Sequence, residues 1–80
     1  MGRIEKQLRG IPKKFRERIF TAIEHLMKRD FSALDRAQLK GYDHIFRIRV
    51  GNYRIIYFDD GKQIILKAIK RRNEKTYNAL

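Results

Sequence analysis

Arginine residues alternate with apolar residues in the second half of the sequence. In the run Ile45–Val50, Arg47 and Arg49 stand two positions apart, and Arg54 lies in the apolar run that follows. Guanidinium groups hold phosphate through two parallel hydrogen bonds and stay charged at any physiological pH. This spacing predicts the binding of a phosphate-bearing anion, provided that the fold brings the three arginines together.

A second basic segment, Lys70-Arg71-Arg72, follows the last apolar run, and Tyr77 lies a few residues beyond it. A basic run after a strand is often only a solvated terminus. Here it begins where the arginine-bearing strands end, and an aromatic ring follows it. Arginine for phosphate and an aromatic ring for a base are the minimum that binding of single-stranded RNA requires.

Two strand-like runs flank the dipeptide Gly51-Asn52, a combination typical of a tight β-hairpin. With these two residues as the loop, Arg49 lies opposite Arg54, and Arg47 falls on the same side of the sheet. A slip of one residue would bury the arginines, so the register is well determined. The other side of the sheet is predicted to pack against helices, and it pairs Val50 with Tyr53, Ile48 with Ile55 and Phe46 with Tyr57.

A second turn, Asp59-Asp60-Gly61-Lys62, leads to a third strand from Gln63 to Ile69. Its aspartates are expected to make local turn hydrogen bonds rather than to form a catalytic pair. A four-residue loop would place Lys67 beside Arg54 on the cationic side. Like charges opposite each other destabilise a strand pair by under about 1 kcal/mol, and a solvated face normally mixes both signs. An anion site is the preferred interpretation, and an ordinary solvated face is the alternative.

The first half of the sequence has helical periodicity. Ile4, Leu8 and Ile11 predict a short helix that ends near Gly10, and Pro12 suits the first residue of a second helix. Residues 30–43 read as an irregular connection. We therefore predict an α+β fold in which two N-terminal helices pack on one face of an antiparallel sheet of three or four strands. The apolar stripe predicted for the core side of the second helix is Phe15, Ile19, Ala22, Ile23, Leu26 and Met27.

The composition narrows the class of protein. The 80 residues fit a single domain spanning 1–80, and 20 Lys and Arg against 9 Asp and Glu give a net charge of +11, which predicts a polyanionic partner. With no cysteine and two histidines, disulfides and zinc–thiolate sites are excluded and no metal site is predicted. No apolar run approaches the roughly 18 residues of a membrane span, and no signal-peptide pattern is present. We expect a cytoplasmic protein that does not bind membranes.

Several motifs together resemble the RelE branch of the RelE/ParE toxin superfamily, over roughly residues 4–80. The Tyr-Arg-apolar-apolar-Tyr strand is widespread in the superfamily and indicates the fold. The basic pair on the preceding strand and the later Arg and Tyr favour RelE. The motifs are Leu39-Lys40-Gly41, Phe46-Arg47-Ile48-Arg49-Val50, Gly51-Asn52-Tyr53-Arg54-Ile55-Ile56-Tyr57, Lys70-Arg71-Arg72 and Tyr77.

The resemblance implies a toxin of a type II toxin–antitoxin system that acts as a metal-independent, cofactor-free endoribonuclease. Such toxins enter the A site of the small ribosomal subunit and cut the mRNA there. The ribose 2′-hydroxyl attacks the adjacent phosphate and leaves a cyclic phosphate and a free 5′-hydroxyl. The implied partners are a RelB-like antitoxin, the ribosome and mRNA, with DNA contacted only through the antitoxin complex.

By position, the resemblance assigns Arg47 to the general base, Arg49 to charge stabilisation and Arg54 to the phosphate clamp. It assigns Arg71 to the general acid and Tyr77 to stacking on a base. Further basic residues complete the implied RNA interface, namely Lys40, Lys67, Lys70 and Arg72.

The family pattern carries lysines where this sequence has Arg47 and Arg49. Arginine binds phosphate well, but its pKa above about 12 makes it a poor proton acceptor. Arg47 is therefore a credible clamp and a poor base. Either Lys67 or Lys70 takes the base role, or catalysis rests on orienting the RNA and stabilising charge.

Two other functions are open on the same sequence. A ParE-like toxin with this fold would poison DNA gyrase, and it would not need Arg71 and Tyr77 beside the cationic strands. A non-catalytic basic RNA-binding module would hold RNA without cutting it. Codon cleavage on programmed ribosomes distinguishes the RelE-type nuclease from both of these alternatives.

Overall fold

The computed structural model describes residues 3–71, which form two helices followed by a four-stranded sheet. This confirms the predicted α+β class with two N-terminal helices. Across residues 3–71, no helix has the length and apolar character that crossing a bilayer needs. The elements are α1 (Arg3–Arg9), α2 (Lys13–Met27), a 3₁₀ turn (Phe31–Ala33), β1 (Asp35–Gln38), β2 (Ile45–Val50), β3 (Tyr53–Asp59) and β4 (Ile64–Arg71).

The sheet order is β1-β2-β3-β4, and each neighbouring pair is antiparallel. β1 lies in the segment predicted as an irregular connection, so that prediction is wrong for these four residues. The sequence of β1, Asp-Arg-Ala-Gln, has no β-branched or aromatic residue, so local propensity does not indicate a strand. Antiparallel pairing with β2, which sets Arg36 opposite Ile48, stabilises the strand despite its low β-propensity.

The hairpin of β2 and β3 has the predicted register. Arg49 lies opposite Arg54, and the three predicted apolar pairs are also present. Gly51 opens the turn with φ +57°, a conformation that favours glycine and suits the first loop position of a two-residue hairpin. A Cβ atom at Gly51 would also approach Nη1 of Arg18 to 3.4 Å.

The hairpin of β3 and β4 differs from the prediction. β3 extends to Asp59, which pairs with Ile64, and the four-residue loop therefore begins one residue later than predicted. A β-bulge at Lys67 shifts the register by one further position. The expected pairing of Lys67 with Arg54 is wrong, because Lys70 occupies the position opposite Arg54.

The bulge at Lys67 has a packing cause. Leu66 and Ile69 both pack into the core, although they are three positions apart. Side chains of a regular strand alternate with a period of two, so an odd spacing sends two residues to opposite faces. The extra residue at the bulge absorbs this mismatch and returns both side chains to the helix side of the sheet.

Both helices pack on the same face of the sheet, as predicted. Met27 is the exception in the predicted stripe, since its side chain is 49% exposed. It lies about 100° around the helix from the fully buried Leu26, which turns it toward solvent. Pro12 caps α2 instead of forming its first residue. The buried core comprises Leu8, Ile11, Ile19, Ala22, Leu26, Ile48, Val50, Tyr53, Ile55, Tyr57 and Ile69.

α1 packs along β4, one of the two edge strands. The Oε1 atom of Gln7 accepts a hydrogen bond of 2.6 Å from the backbone N–H of Ile69. Leu8 and Ile11 are buried in the core beside this contact. A side chain of the first helix therefore takes up a backbone donor of the edge strand.

An ion pair joins the end of β3 to the end of α2. Asp59 is buried and accepts two hydrogen bonds of 3.1 Å from Nη1 of Arg29, as well as one of 2.8 Å from the N–H of Gly61. The local turn role predicted for Asp60 is confirmed, because its carboxylate accepts the N–H of Lys62 at 2.9 Å. Asp59 also makes the predicted local bond, with Gly61, and in addition it pairs with the distant Arg29.

Candidate nucleic-acid interface

Four cationic side chains share the sheet face that lies opposite the helices. Arg49, Arg54 and Lys70 are register neighbours on β2, β3 and β4, and Arg47 lies two residues along β2 from Arg49. Because adjacent strands lie about 4.8 Å apart, the row spans about 10 Å. We call Arg47, Arg49, Arg54 and Lys70 the cationic cluster.

A carboxylate accompanies the cationic cluster. Asp35 on β1 lies opposite Arg49, and its Oδ2 is 4.0 Å from Nε of that residue. Its Oδ1 is 3.5 Å from Nη1 of Arg47, which also donates a hydrogen bond of 3.3 Å to the backbone oxygen of Asp35. The residues that the sequence predicts for this face are all cations; Asp35 is not among them, because residues 30–43 are predicted to form an irregular connection and not a strand.

The cations differ in exposure, and this limits what each can do. The side chain of Arg47 is 19% exposed and that of Arg49 is 48% exposed. Arg54 is half-buried at the centre of the row, and its Nε atom is buried. A half-buried guanidinium loses few rotamers when it binds an anion, so the centre of the row is better ordered in advance than its exposed end.

Arg36 anchors β1, and with it the position of Asp35. Its guanidinium lies between two rings, 4.1 Å from the centroid of Phe31 and 4.3 Å from that of Phe46. It also donates a hydrogen bond to the hydroxyl of Tyr57. Burial raises the pKa of Tyr57, and the nearby Arg36 opposes part of that rise. This half-buried network holds the short edge strand against the core.

A cavity of about 340 Å³ opens between α2 and the end of β2. Asp35 and Arg49 border it, together with Arg18 of α2. The carboxylate and its arginine neighbour therefore line a cavity at the edge of the sheet.

Residues 2–76 match the family described as the ParE toxin of type II toxin–antitoxin systems, parDE. The chain belongs to this toxin family. Among relatives, it is 37% identical over 70 residues to Toxin RelE3 of Methanocaldococcus jannaschii, a match that covers 84% of this chain and 80% of that toxin. The match confirms the resemblance found in the sequence.

Two solved toxin structures share the fold. One is the toxin–antitoxin complex RelB–RelE from Methanococcus jannaschii, with a TM-score of 0.77, 34% identity, and coverage of 90% of this chain and 87% of the other. The second is the archaeal RelE–RelB complex from Pyrococcus horikoshii OT3, with a TM-score of 0.73, 25% identity, and coverage of 94% and 92%. This chain is a RelE-type toxin of a type II toxin–antitoxin system.

The other predicted site residues of this RelE-type toxin lie at varying distances from the cationic cluster. Lys67 is exposed at the bulge, and Lys40 is exposed in the connection between β1 and β2. Arg71 pairs with Tyr53, so strand alternation sets it on the helix side of the sheet, away from the side chain of Arg54. The predicted positions Arg72 and Tyr77 lie outside the described residues.

Sequence reasoning missed Asp35 and Arg36 in this toxin. Nothing local distinguishes them, because charged residues at an irregular connection are usual. They gain a role only when β1 pairs with β2 and sends one side chain to each face. Within residues 3–71, no three His, Cys, Asp or Glu side chains come close enough to hold a metal ion.

Proposed function

We propose that this toxin is a ribosome-dependent, metal-independent endoribonuclease that cuts mRNA in the A site. The ribose 2′-hydroxyl attacks the adjacent phosphate, and the 5′ oxygen leaves. The observation that supports the proposal best is the row of Arg49, Arg54 and Lys70 across three strands, with Arg47 beside it. Such a row matches a single phosphate that gains negative charge as it reacts.

The charge argument is specific to the reaction. During attack, the phosphate passes through a form with an additional negative charge, so cations held around it stabilise the transition state more than the bound RNA. Arg54, half-buried at the centre of the row, is suited to clamp the phosphate. Arg49 and Lys70 flank it on the neighbouring strands and share the added charge.

The remaining roles rest on the family resemblance. In the proposal, Tyr77 stacks on a base of the codon. Water protonates the leaving oxygen, because strand alternation sets Arg71, the acid that the resemblance assigns, on the helix side of the sheet. Lys40, Lys67 and Arg72 contact phosphates away from the cutting position, in the mRNA or in ribosomal RNA, so they contribute to binding and little to the single-turnover rate of cutting.

Primer extension on mRNA held in programmed ribosomes tests the activity. We expect a new stop within the A-site codon when the toxin is added. Arg54→Ala should slow single-turnover cutting by about 10²–10³-fold, the usual cost of losing one group that stabilises transition-state charge. Arg9→Ala, which removes an exposed arginine at the end of α1, serves as the matched control and should cut at the unmodified rate.

A gyrase supercoiling assay is the second arm, because the matching family description refers to ParE. Inhibition of gyrase without codon cleavage would replace the nuclease by a gyrase poison. Tight ribosome binding with no cleavage would leave an RNA-binding module.

We further propose that a RelB-like antitoxin neutralises this toxin in the cytoplasm. The two structural relatives were solved as complexes with RelB, and the net charge of +11 favours an acidic partner. DNA would be contacted only through that complex. Co-expression with a RelB-like antitoxin should yield a stable complex that no longer cuts ribosome-bound mRNA.

A further inference from the structure

We propose that Asp35 accepts the proton of the attacking 2′-hydroxyl. The inference rests on the proposed nuclease function and deepens it, because it names a base, which the four residues of the cationic cluster do not supply. A guanidinium has no lone pair to offer and a protonated ammonium has none, whereas an ionised carboxylate has several. Among the described residues, Asp35 is the carboxylate in ion-pair contact with the cationic cluster.

The contacts of Asp35 put it where the base must act. Its two carboxylate oxygens bridge two guanidinium groups, at 3.5 Å from Arg47 and 4.0 Å from Arg49. A phosphate that binds these same groups is held beside the carboxylate. The ribose hydroxyl next to that phosphate then comes within the hydrogen-bond reach that general-base catalysis requires.

The carboxylate is both accessible and held in place. Its side chain is 58% exposed, and the cavity beside α2 opens onto it. The next residue on β1, Arg36, points to the opposite face and is fixed between Phe31 and Phe46. An exposed base on an anchored strand is positioned before the substrate arrives.

In the free toxin, the carboxylate of Asp35 competes with RNA for the two arginines. It offsets part of the charge of Arg47 and Arg49, and RNA binding exchanges this carboxylate for phosphate. In the reaction, Asp35 takes the proton from the 2′-hydroxyl while the 2′ oxygen forms its bond to phosphorus. The bond between phosphorus and the 5′ oxygen breaks, and that oxygen takes a proton from water, to which Asp35 later returns its own.

Two measurements, made with residues 1–80 and programmed ribosomes, separate a base from a structural ion pair. The first is the single-turnover rate of cutting. Asp35→Asn should cut about 100-fold more slowly, the usual contribution of a general base, and Asp35→Glu should stay within about tenfold of the unmodified rate because it restores the carboxylate. Asp43→Asn removes an exposed carboxylate ahead of β2 and should leave the rate unchanged.

The second measurement is binding to ribosomes whose codon carries a 2′-deoxynucleotide at the cutting position, which prevents the reaction. Asp35→Asn should bind as tightly as the unmodified toxin or more tightly, since it frees two arginines and removes a charge that repels phosphate. A structural role predicts the opposite, because loosening Arg47 and Arg49 would weaken binding.

The outcomes are distinct. Cutting by the unmodified toxin together with an unchanged rate for Asp35→Asn overturns the base and leaves the nuclease function intact. A slow Asp35→Asn that also binds weakly, or that Asp35→Glu fails to restore, assigns the residue to structure and overturns the base as well. If the unmodified toxin does not cut, the proposed function fails and the role of Asp35 fails with it.

Discussion

The β-bulge at Lys67 leads to a sharp prediction about two lysines on the same strand. Lys70 lies opposite Arg54, whereas Lys67 lies three residues earlier. The sequence alone favoured Lys67 as the neighbour of Arg54. Replacing each lysine by alanine removes the same charge and a similar side chain, so the difference between the variants reports on position. We expect Lys70→Ala to impair cutting and Lys67→Ala to be nearly neutral.

The magnitude follows from distance and exposure. A charge about 5 Å from a phosphate over Arg54 contributes about 3 kcal/mol at an effective dielectric constant near 20. That dielectric suits Lys70, which is half-buried. Lys67 is exposed and about 10 Å farther along the strand, where a charge contributes about 0.4 kcal/mol in water before screening by salt. The larger value corresponds to a rate loss of up to about 100-fold and the smaller to about twofold.

Single-turnover primer extension on programmed ribosomes measures both rates. Repeating it at several salt concentrations gives the salt slope of binding, which should fall by about one for Lys70→Ala if the lysine contacts a phosphate. An equal or larger defect for Lys67→Ala would refute the register argument, and with it the assignment of Lys70 to the cationic cluster.

Two further predictions concern stability. Asp59→Asn should lower the free energy of unfolding by about 2 kcal/mol. The loss is smaller than for a fully buried ion pair because the side chain of Arg29 is 37% exposed. Urea unfolding measures the change, and a midpoint no lower than that of Asp43→Asn would contradict the expectation. Burial raises the pKa of the Tyr57 hydroxyl in the folded protein. The unfolded chain therefore loses the hydroxyl proton at a lower pH than the folded protein does, and the free energy of unfolding should fall as the pH rises above about 10. Tyr57→Phe should lose less stability between pH 8 and 11, and parallel pH curves for the two proteins would argue against this.

The first hairpin could be predicted closely from the sequence because several local signals agree. Gly51-Asn52 fixes the loop, and strict alternation then fixes which side of the strand is apolar. A shift by one residue would bury Arg49 and Arg54 together, and taking two charges of the same sign out of water is costly. Three of the four residues of the cationic cluster follow from this reasoning alone.

The rest of the site depends on packing between distant residues. The bulge at Lys67 arises because Leu66 and Ile69 both enter a core that the helices complete. β1 is a strand because Arg36 packs between rings from other segments, not because of its own composition. Asp35 is brought to the arginines only by that strand, so its contribution could not be read from neighbouring positions in the chain.

The hydrogen bond from Ile69 to Gln7 also has a consequence for self-association. Exposed strand edges offer unpaired backbone groups to other chains and promote aggregation. At β4 the side chain of Gln7 accepts the hydrogen bond of one backbone donor, Ile69, that an incoming strand could use, and α1 packs along this strand. The opposite edge, β1, is four residues long and bears a charged residue on each face. Both edge strands are therefore poor templates for pairing with a strand of another molecule. This protects the protein from aggregation at the concentrations reached during expression.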